Sequence, residues 1–198
     1  MKIISLYILL TLSLIANAQE TYQNKKLGFS MEKPTDWIEA NQTETIENIK
    51  EQIKLSPALI EKLITENKGT LDIVAYYKYP INSVDGVIPT IKIVLRKNGT
   101  KSLIAFKNAI ETSYSSLKSY FPDFSFTTIP TIKEIDSKKS IYTVCNYTIK
   151  TKSKAEKVNA TVYAVPIGDK FYQITFMDSE KEDCKDFFEK IAKSIRID

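Results

Sequence analysis

The sequence contains no histidine. That absence removes the usual general base, the commonest transition-metal ligand and the imidazole of Ser-His or Cys-His catalysis. Cysteine is scarce, with only Cys145 and Cys184, and so is glycine, with five in the whole chain. No phosphate-cradling glycine loop stands among those five. Tryptophan occurs once, at Trp37, and reads as a packing residue of the core or its rim. Neither sign of charge dominates: 28 lysines and arginines face 24 aspartates and glutamates, spread along the chain. A mild, dispersed basicity argues against a dedicated nucleic-acid surface. Lys138-Lys139 and Lys150 to Lys157 read as solvated strand ends and turns.

Long apolar runs are absent after the first eighteen residues. Those eighteen have the form of a secretory signal peptide: Lys2 ahead of an apolar run from Ile3 to Ile15, then Ala16-Asn17-Ala18 as a small-x-small cleavage site. The run is short for a bilayer span. No cysteine near the cleavage point offers a lipid acceptor. The expectation is an exported protein, periplasmic or extracellular, with no transmembrane segment in the mature chain. Cleavage leaves 180 residues, Gln19–Asp198, with a net charge of +3. That length suits one domain with a sizeable core.

What the chain does hold is β-rich, tyrosine-rich pattern. Val158–Val165 and Phe171–Met177 read as two strands joined at Ile167-Gly168-Asp169, where glycine supplies the positive φ of a tight hairpin. A helix is expected from Glu180 to about Ser194. Ser179 and Glu182 have the spacing of a capping box. Cys184, Phe187, Phe188, Ile191, Ala192 and Ile195 fall on one apolar stripe, which must be buried. Upstream, Tyr22–Lys33 reads as two short strands. Asn41–Asn67 reads as a broken amphipathic helical arm, restarted at Ser56-Pro57. Leu71–Tyr79 and Ile88–Arg96 read as strands, the first apolar on both faces. Ser102 is placed to cap a helix from Leu103 to Tyr120. Phe124–Ile129 and Thr131–Ile135 read as edge strand split by Pro130, and Ile141–Lys150 as a long alternating strand. The order of elements gives an α+β fold, an antiparallel sheet flanked by helices.

Chemistry is thinly signalled. Cys145 and Cys184 are compatible with a disulfide closing a loop of about 39 residues, and otherwise read as two buried thiols behaving as small hydrophobes. Asp178, Glu180, Glu182 and Asp183 gather where the last helix begins, either as complements to its dipole or as oxygen ligands for a divalent ion. Asn41, Asn98, Asn146 and Asn159 each open an Asn-x-Thr sequon; the last two fall inside expected strands and read as chance matches. No catalytic, cofactor-binding or metal site is assigned. The eleven tyrosines are the remaining signal. Tyr76, Tyr77, Tyr142, Tyr163 and Tyr172 lie on expected strands, either as sheet packing or as the lining of a groove.

Short stretches at both ends share a further pattern. Near the start stand Tyr22-x-Asn24 and Leu27-Gly28-Phe29-Ser30-Met31-x-x-Pro34-x-x-Trp37. Near the end stand Tyr163 to Val165, Asp169-Lys170-Phe171-Tyr172-Gln173-Ile174-Thr175-Phe176 and an amphipathic helix closing at Ser194-Ile195. This pattern resembles the PsbP-like group, which includes an extrinsic photosystem subunit and a nuclear Ran-binding relative. The resemblance implies an α/β/α sandwich over nearly all of Tyr22–Ile197. It implies a non-enzymatic module that binds or helps assemble other proteins, here protein partners in the cell envelope. It transfers no functional residue, and metal binding proposed for photosystem members does not carry over to a chain without histidine. The alternative is a small-molecule-binding protein or hydrolase using a tyrosine-lined groove.

Overall fold

The structure is a computed structural model and describes residues 20–40, 70–81, 83–151 and 153–198. The expected signal peptide and the expected Asn41–Asn67 arm lie outside the described residues. Among the described residues ten strands and two helices follow one another as β1 (Thr21–Asn24), β2 (Phe29–Glu32), β3 (Ile38–Ala40), β4 (Leu71–Tyr77), β5 (Thr90–Lys97), α1 (Leu103–Ser115), β6 (Ser125–Ile135), β7 (Lys138–Lys150), β8 (Ala155–Ile167), β9 (Lys170–Ser179), α2 (Lys185–Ser194) and β10 (Arg196–Ile197). Seven strands form one sheet in the order β3-β4-β5-β9-β8-β7-β6, and three form a small sheet in the order β1-β2-β10. Every pairing is antiparallel.

The centre of the large sheet is built by the β8–β9 hairpin. Ile167 pairs with Lys170 across Gly168-Asp169, and Gly168 takes φ 58°. Such a turn matches the strand twist and fixes the register of everything beyond it. A second two-residue loop, Asp136-Ser137, joins β6 to β7 with both residues at positive φ. That turn lies just before the lysine pair at which the sequence had marked it. Tyr163, Ile174, Ile93 and Val74 fall in one row across four strands, and Val144, Thr161, Phe176, Ile91 and Tyr76 in the next. All of these side chains point to one face, because alternation puts every second residue of a strand there.

The apolar stripe of α2 lies on that face. Phe188, Ile191, Ala192 and Ile195 are buried with Phe176, Ile174, Ile91, Ile93 and Tyr76, together with Phe29 and Met31 of β2. Burying each large side chain there contributes about 1.5–3 kcal/mol. Trp37 stacks on Phe187 at 5.2 Å and meets Phe188 edge-on at 6.1 Å, as its packing role required. The chain end then pairs β10 with β2, and Tyr172 donates to the Leu27 carbonyl, so the small sheet is held beside α2. On the opposite face α1 buries Phe106 and Ile110 against Ile141, Ala164 and Phe171, and Ser102 caps it by accepting from the Ala105 amide at 3.1 Å. The result is helix, sheet, helix. Among the described residues no helix is long and apolar enough to cross a membrane.

Three expected details change. The last helix starts at Lys185, five residues later than its capping box suggested. Glu182 is diverted to Lys78 and Tyr79, and Ser179 ends β9. The helix of α1 gives way to a 3-10 turn, Ser116–Ser119, before Tyr120. In β4 the register shifts between Asp72 and Val74. Strict alternation along the strand sets Ile73 on the face of Ala75 and Tyr77, but in that bulge it packs with Val74 in the α2-side core.

Candidate functional site

Helix α2 covers only part of its face. Beyond Phe176 the strands β8, β7 and β6 continue, and among the described residues no helix lies above them; the space between them and α2 is a groove of about 1150 Å³. Its floor is laid in rows. Tyr142 pairs with Tyr163, Val144 with Thr161, and Asn146 with Asn159, each pair fixed by the β7–β8 register. Lys133, Glu134, Ile135 and Asp136 of the β6 end form one wall, and Asp183, Lys185, Phe188, Glu189 and Lys193 form the other.

One row is a polar chain that crosses four strands. Thr127 donates to Asn146 Oδ1 at 2.6 Å, Asn146 Nδ2 to Asn159 Oδ1 at 3.4 Å, and Asn159 Nδ2 to Asp178 Oδ1 at 3.1 Å. The other oxygen of Asp178 accepts from the Cys184 amide at 3.0 Å, at the start of α2. Asp178 is 5% exposed. Burial raises its carboxyl above the ordinary value, against the two hydrogen bonds that favour its charge, while Asp183 adds repulsion. Thus the floor of the groove is joined directly to the N-terminus of its wall.

The second row is aromatic. Tyr142 and Tyr163 lie 5.0 Å apart at 58°, and Tyr163 meets Phe176 edge-on at 6.3 Å. Burial, with smaller contributions from Tyr142 and Glu189, pushes the Tyr163 phenol up to about 12, so it stays neutral and able to donate.

Of the five tyrosines considered as a groove, only Tyr142 and Tyr163 line this one. Tyr76 is fully buried and donates to Glu39 at 3.3 Å. Tyr172 is held in the core by Leu27. Tyr77 points to the opposite face with Ala75 and Ile88. Adjacent positions on one strand, such as Tyr76 and Tyr77, cannot share a face.

The two cysteines are not bridged; both are free and buried. Cys145 packs with Phe124 and Ala160 on the α1 side, and Cys184 with the α2 core on the other, so the sheet stands between them. Burial pushes the Cys145 thiol up to about 12 and also raises Cys184, which makes both poor nucleophiles. The four carboxylates near the helix start disperse as well. Asp178 serves the Cys184 amide, Glu180 meets Lys157 at 2.7 Å, Glu182 pairs with Lys78, and Asp183 caps the Lys185 amide at 3.0 Å. Among the described residues no group of three or more such ligands converges on one point.

Asn146 and Asn159 were read as chance sequons, and Asp178 as a dipole complement or one of several oxygen ligands. Their shared phase on three successive strands was the signal available in the sequence. Its meaning needed the register that pairs them.

Fold and groove together define an α+β protein of helix–sheet–helix layers, with a groove over half of one sheet face among the described residues. No family model matches the chain, and no curated protein does. Solved structures do. A protein from Bacteroides thetaiotaomicron VPI-5482 aligns with a TM-score of 0.50 and 11% identity over 90% of this chain and 48% of its own, so the chain spans about half the length of that neighbour. Cyanobacterial PsbP from Synechocystis sp. PCC 6803 aligns at 0.50 and 12% identity over 90% of this chain and 92% of its own. LpqN, involved in cell envelope biogenesis of Mycobacterium tuberculosis, gives 0.49 and 12% over 92% and 87%. The fold is PsbP-like.

Proposed function

We propose that this protein is an exported, non-enzymatic binding or assembly module of the cell envelope, and that it receives a segment of a partner protein in the groove between α2 and the β6–β8 half-sheet. The observation that carries this reading is the groove itself, a half-face that no helix among the described residues covers. A volume of about 1150 Å³ exceeds the usual range for a small-molecule pocket, and its rows of threonine, asparagine and tyrosine suit a long, partly polar occupant. The sheet edge is a poorer dock. Along β6 the register breaks twice, between Phe126 and Thr128 and between Thr128 and Thr131, and Pro130 lacks a donor, which blunts strand addition. Catalysis finds little support in the groove, because both oxygens of its one buried carboxylate are already hydrogen-bonded. The PsbP-like resemblance adds the expectation of protein partners, and the Met1–Ala18 pattern that of export.

The test is site-specific photo-crosslinking in the native envelope. A photoreactive side chain replaces Thr161 in the groove or, as control, exposed Asn108 on α1. The reading expects a discrete adduct from the first position and not the second. The same adducts from both, or none from Thr161, would remove the groove from the account. The tyrosine pair favours one second reading, a small-ligand protein. It expects a metabolite that raises Tm in the native chain and fails to do so in Tyr163→Leu.

A further inference from the structure

Charge is not evenly spread around the groove. Six carboxylates line it (Glu134, Asp136, Asp178, Glu180, Asp183 and Glu189) against four cations, Lys133, Lys185, Lys193 and Arg196. This imbalance opposes the basic balance of the whole chain. Some of the counted charges have partners of opposite sign: Arg196 lies 3.9 Å from Asp136 and donates to the carbonyls of Lys193 and Ile195, and Glu180 meets Lys157, outside the groove, at 2.7 Å.

Lys133 does something different. It reaches back from β6 and sets its ammonium 3.6 Å from the centre of the Tyr142 ring. That is the geometry of a cation held on an aromatic face. The same ring stands 5.0 Å from Tyr163, which extends the electron-rich surface. Glu189 lines the opposite wall of the same groove. After burial, its charge is the next cause raising the Tyr142 phenol, and it adds to the rise at Tyr163. Two adjacent rings and a carboxylate lining the same groove match the needs of a lysine or arginine side chain, whose stem packs on the rings while its charge meets the acid. The chain's own lysine already shows that the Tyr142 face takes a cation.

We infer that the Tyr142–Tyr163–Glu189 corner is a subsite for a basic side chain of the partner polypeptide, and that Lys133 fills it in the free protein as an internal competitor. This rests on the reading of the groove as a protein-binding site and names the chemistry of the occupant. A partner's lysine displaces Lys133 from the Tyr142 face and gains Glu189 as its counter-ion. Specificity follows from charge: an acidic segment meets the surplus carboxylates and is repelled.

The experiment titrates the mature chain with the peptide acetyl-Gly-Lys-Gly-Lys-Gly-amide and with its glutamate counterpart, following the ring resonances of Tyr142 and Tyr163 by NMR. The lysine peptide is expected to move both tyrosines and the glutamate peptide neither. Lys133→Ala is expected to tighten the lysine peptide about two- to fivefold, and Glu189→Gln to weaken it about as much. Glu189 is exposed on α2, so its substitution leaves the core intact and keeps the test decisive if a tyrosine variant misfolds. Unmoved tyrosines, equal binding of both peptides, or a Lys133→Ala variant that binds no tighter would overturn the subsite. If the Thr161 crosslink succeeds while the peptide fails, the subsite falls and the protein-binding reading stands. If the crosslink fails, the parent reading falls whatever the peptide does.

Discussion

Replacing Asp178 tests whether the groove floor and the α2 wall are one unit. In Asp178→Ala the Cys184 amide loses its acceptor in a buried place, and Asn159 loses the end of its chain. A buried donor left unmatched costs about 1–3 kcal/mol, and the second bond adds about 1. Release from burying a carboxylate offsets part of this, so the net loss is about 2 kcal/mol. For a chain of this size that lowers Tm by about 4–8 °C. Asp178→Asn behaves differently. Its amide oxygen can serve Cys184, and its amide nitrogen can donate to Asn159 if Asn159, Asn146 and Thr127 reverse in turn. Every donor and acceptor is then still matched. The pH dependence adds a check of sign. The Asp178 carboxyl is raised in the folded state, so the stability it contributes is present below the ordinary carboxyl value, about 3.9, and is lost as pH rises through the raised one. The gap between native chain and Asp178→Asn therefore narrows from pH 4 to pH 7. Thermal melts of the three chains at both pH values measure all of this. If Asp178→Ala melts with the native chain, or Asp178→Asn is as damaged as Asp178→Ala at pH 7, the coupling through Asp178 is wrong.

Other outcomes follow from the same packing. Ile191→Ala, at a fully buried point of the α2 face, should cost about 2–5 kcal/mol in urea unfolding; a loss under about 1 kcal/mol would mean that α2 does not press on the sheet. Gly86 has φ +136° and an added Cβ would clash with the Glu156 carboxylate, so Gly86→Ala should destabilise by about 2 kcal/mol or more, and a neutral effect would misplace that loop. Alkylation without reductant should label no cysteine in the folded chain and two after denaturation. A denatured chain that stays unlabelled would reveal the bridge that the two-sided placement of Cys145 and Cys184 excludes.

The frame of the fold was legible because local rules and tertiary packing agree there. Gly168 between two alternating strands admits one hairpin, and the stripe from Phe187 to Ile195 admits one buried helix face. Where a distant residue intervened, the local reading slipped. Glu182 had the spacing of a cap but found Lys78 and Tyr79, more than a hundred positions away, and α2 began later. The groove was harder still. Asn146, Asn159 and Asp178 meet through two strand registers, and a slip of one residue in either would turn them to the other face. Tyrosine content left sheet packing and an aromatic groove both open, and only the rows of the sheet separate Tyr142 and Tyr163 from the three that serve the core.

The most direct measurement is the hydrogen-exchange footprint of the mature chain when bound to a partner crosslinked through the Thr161 position. Protection confined to 142–146, 159–163 and the exposed flank of α2 is the expected result. Protection centred on α1 and the opposite sheet face, with the β7–β8 rows unchanged, would contradict a groove that receives the partner.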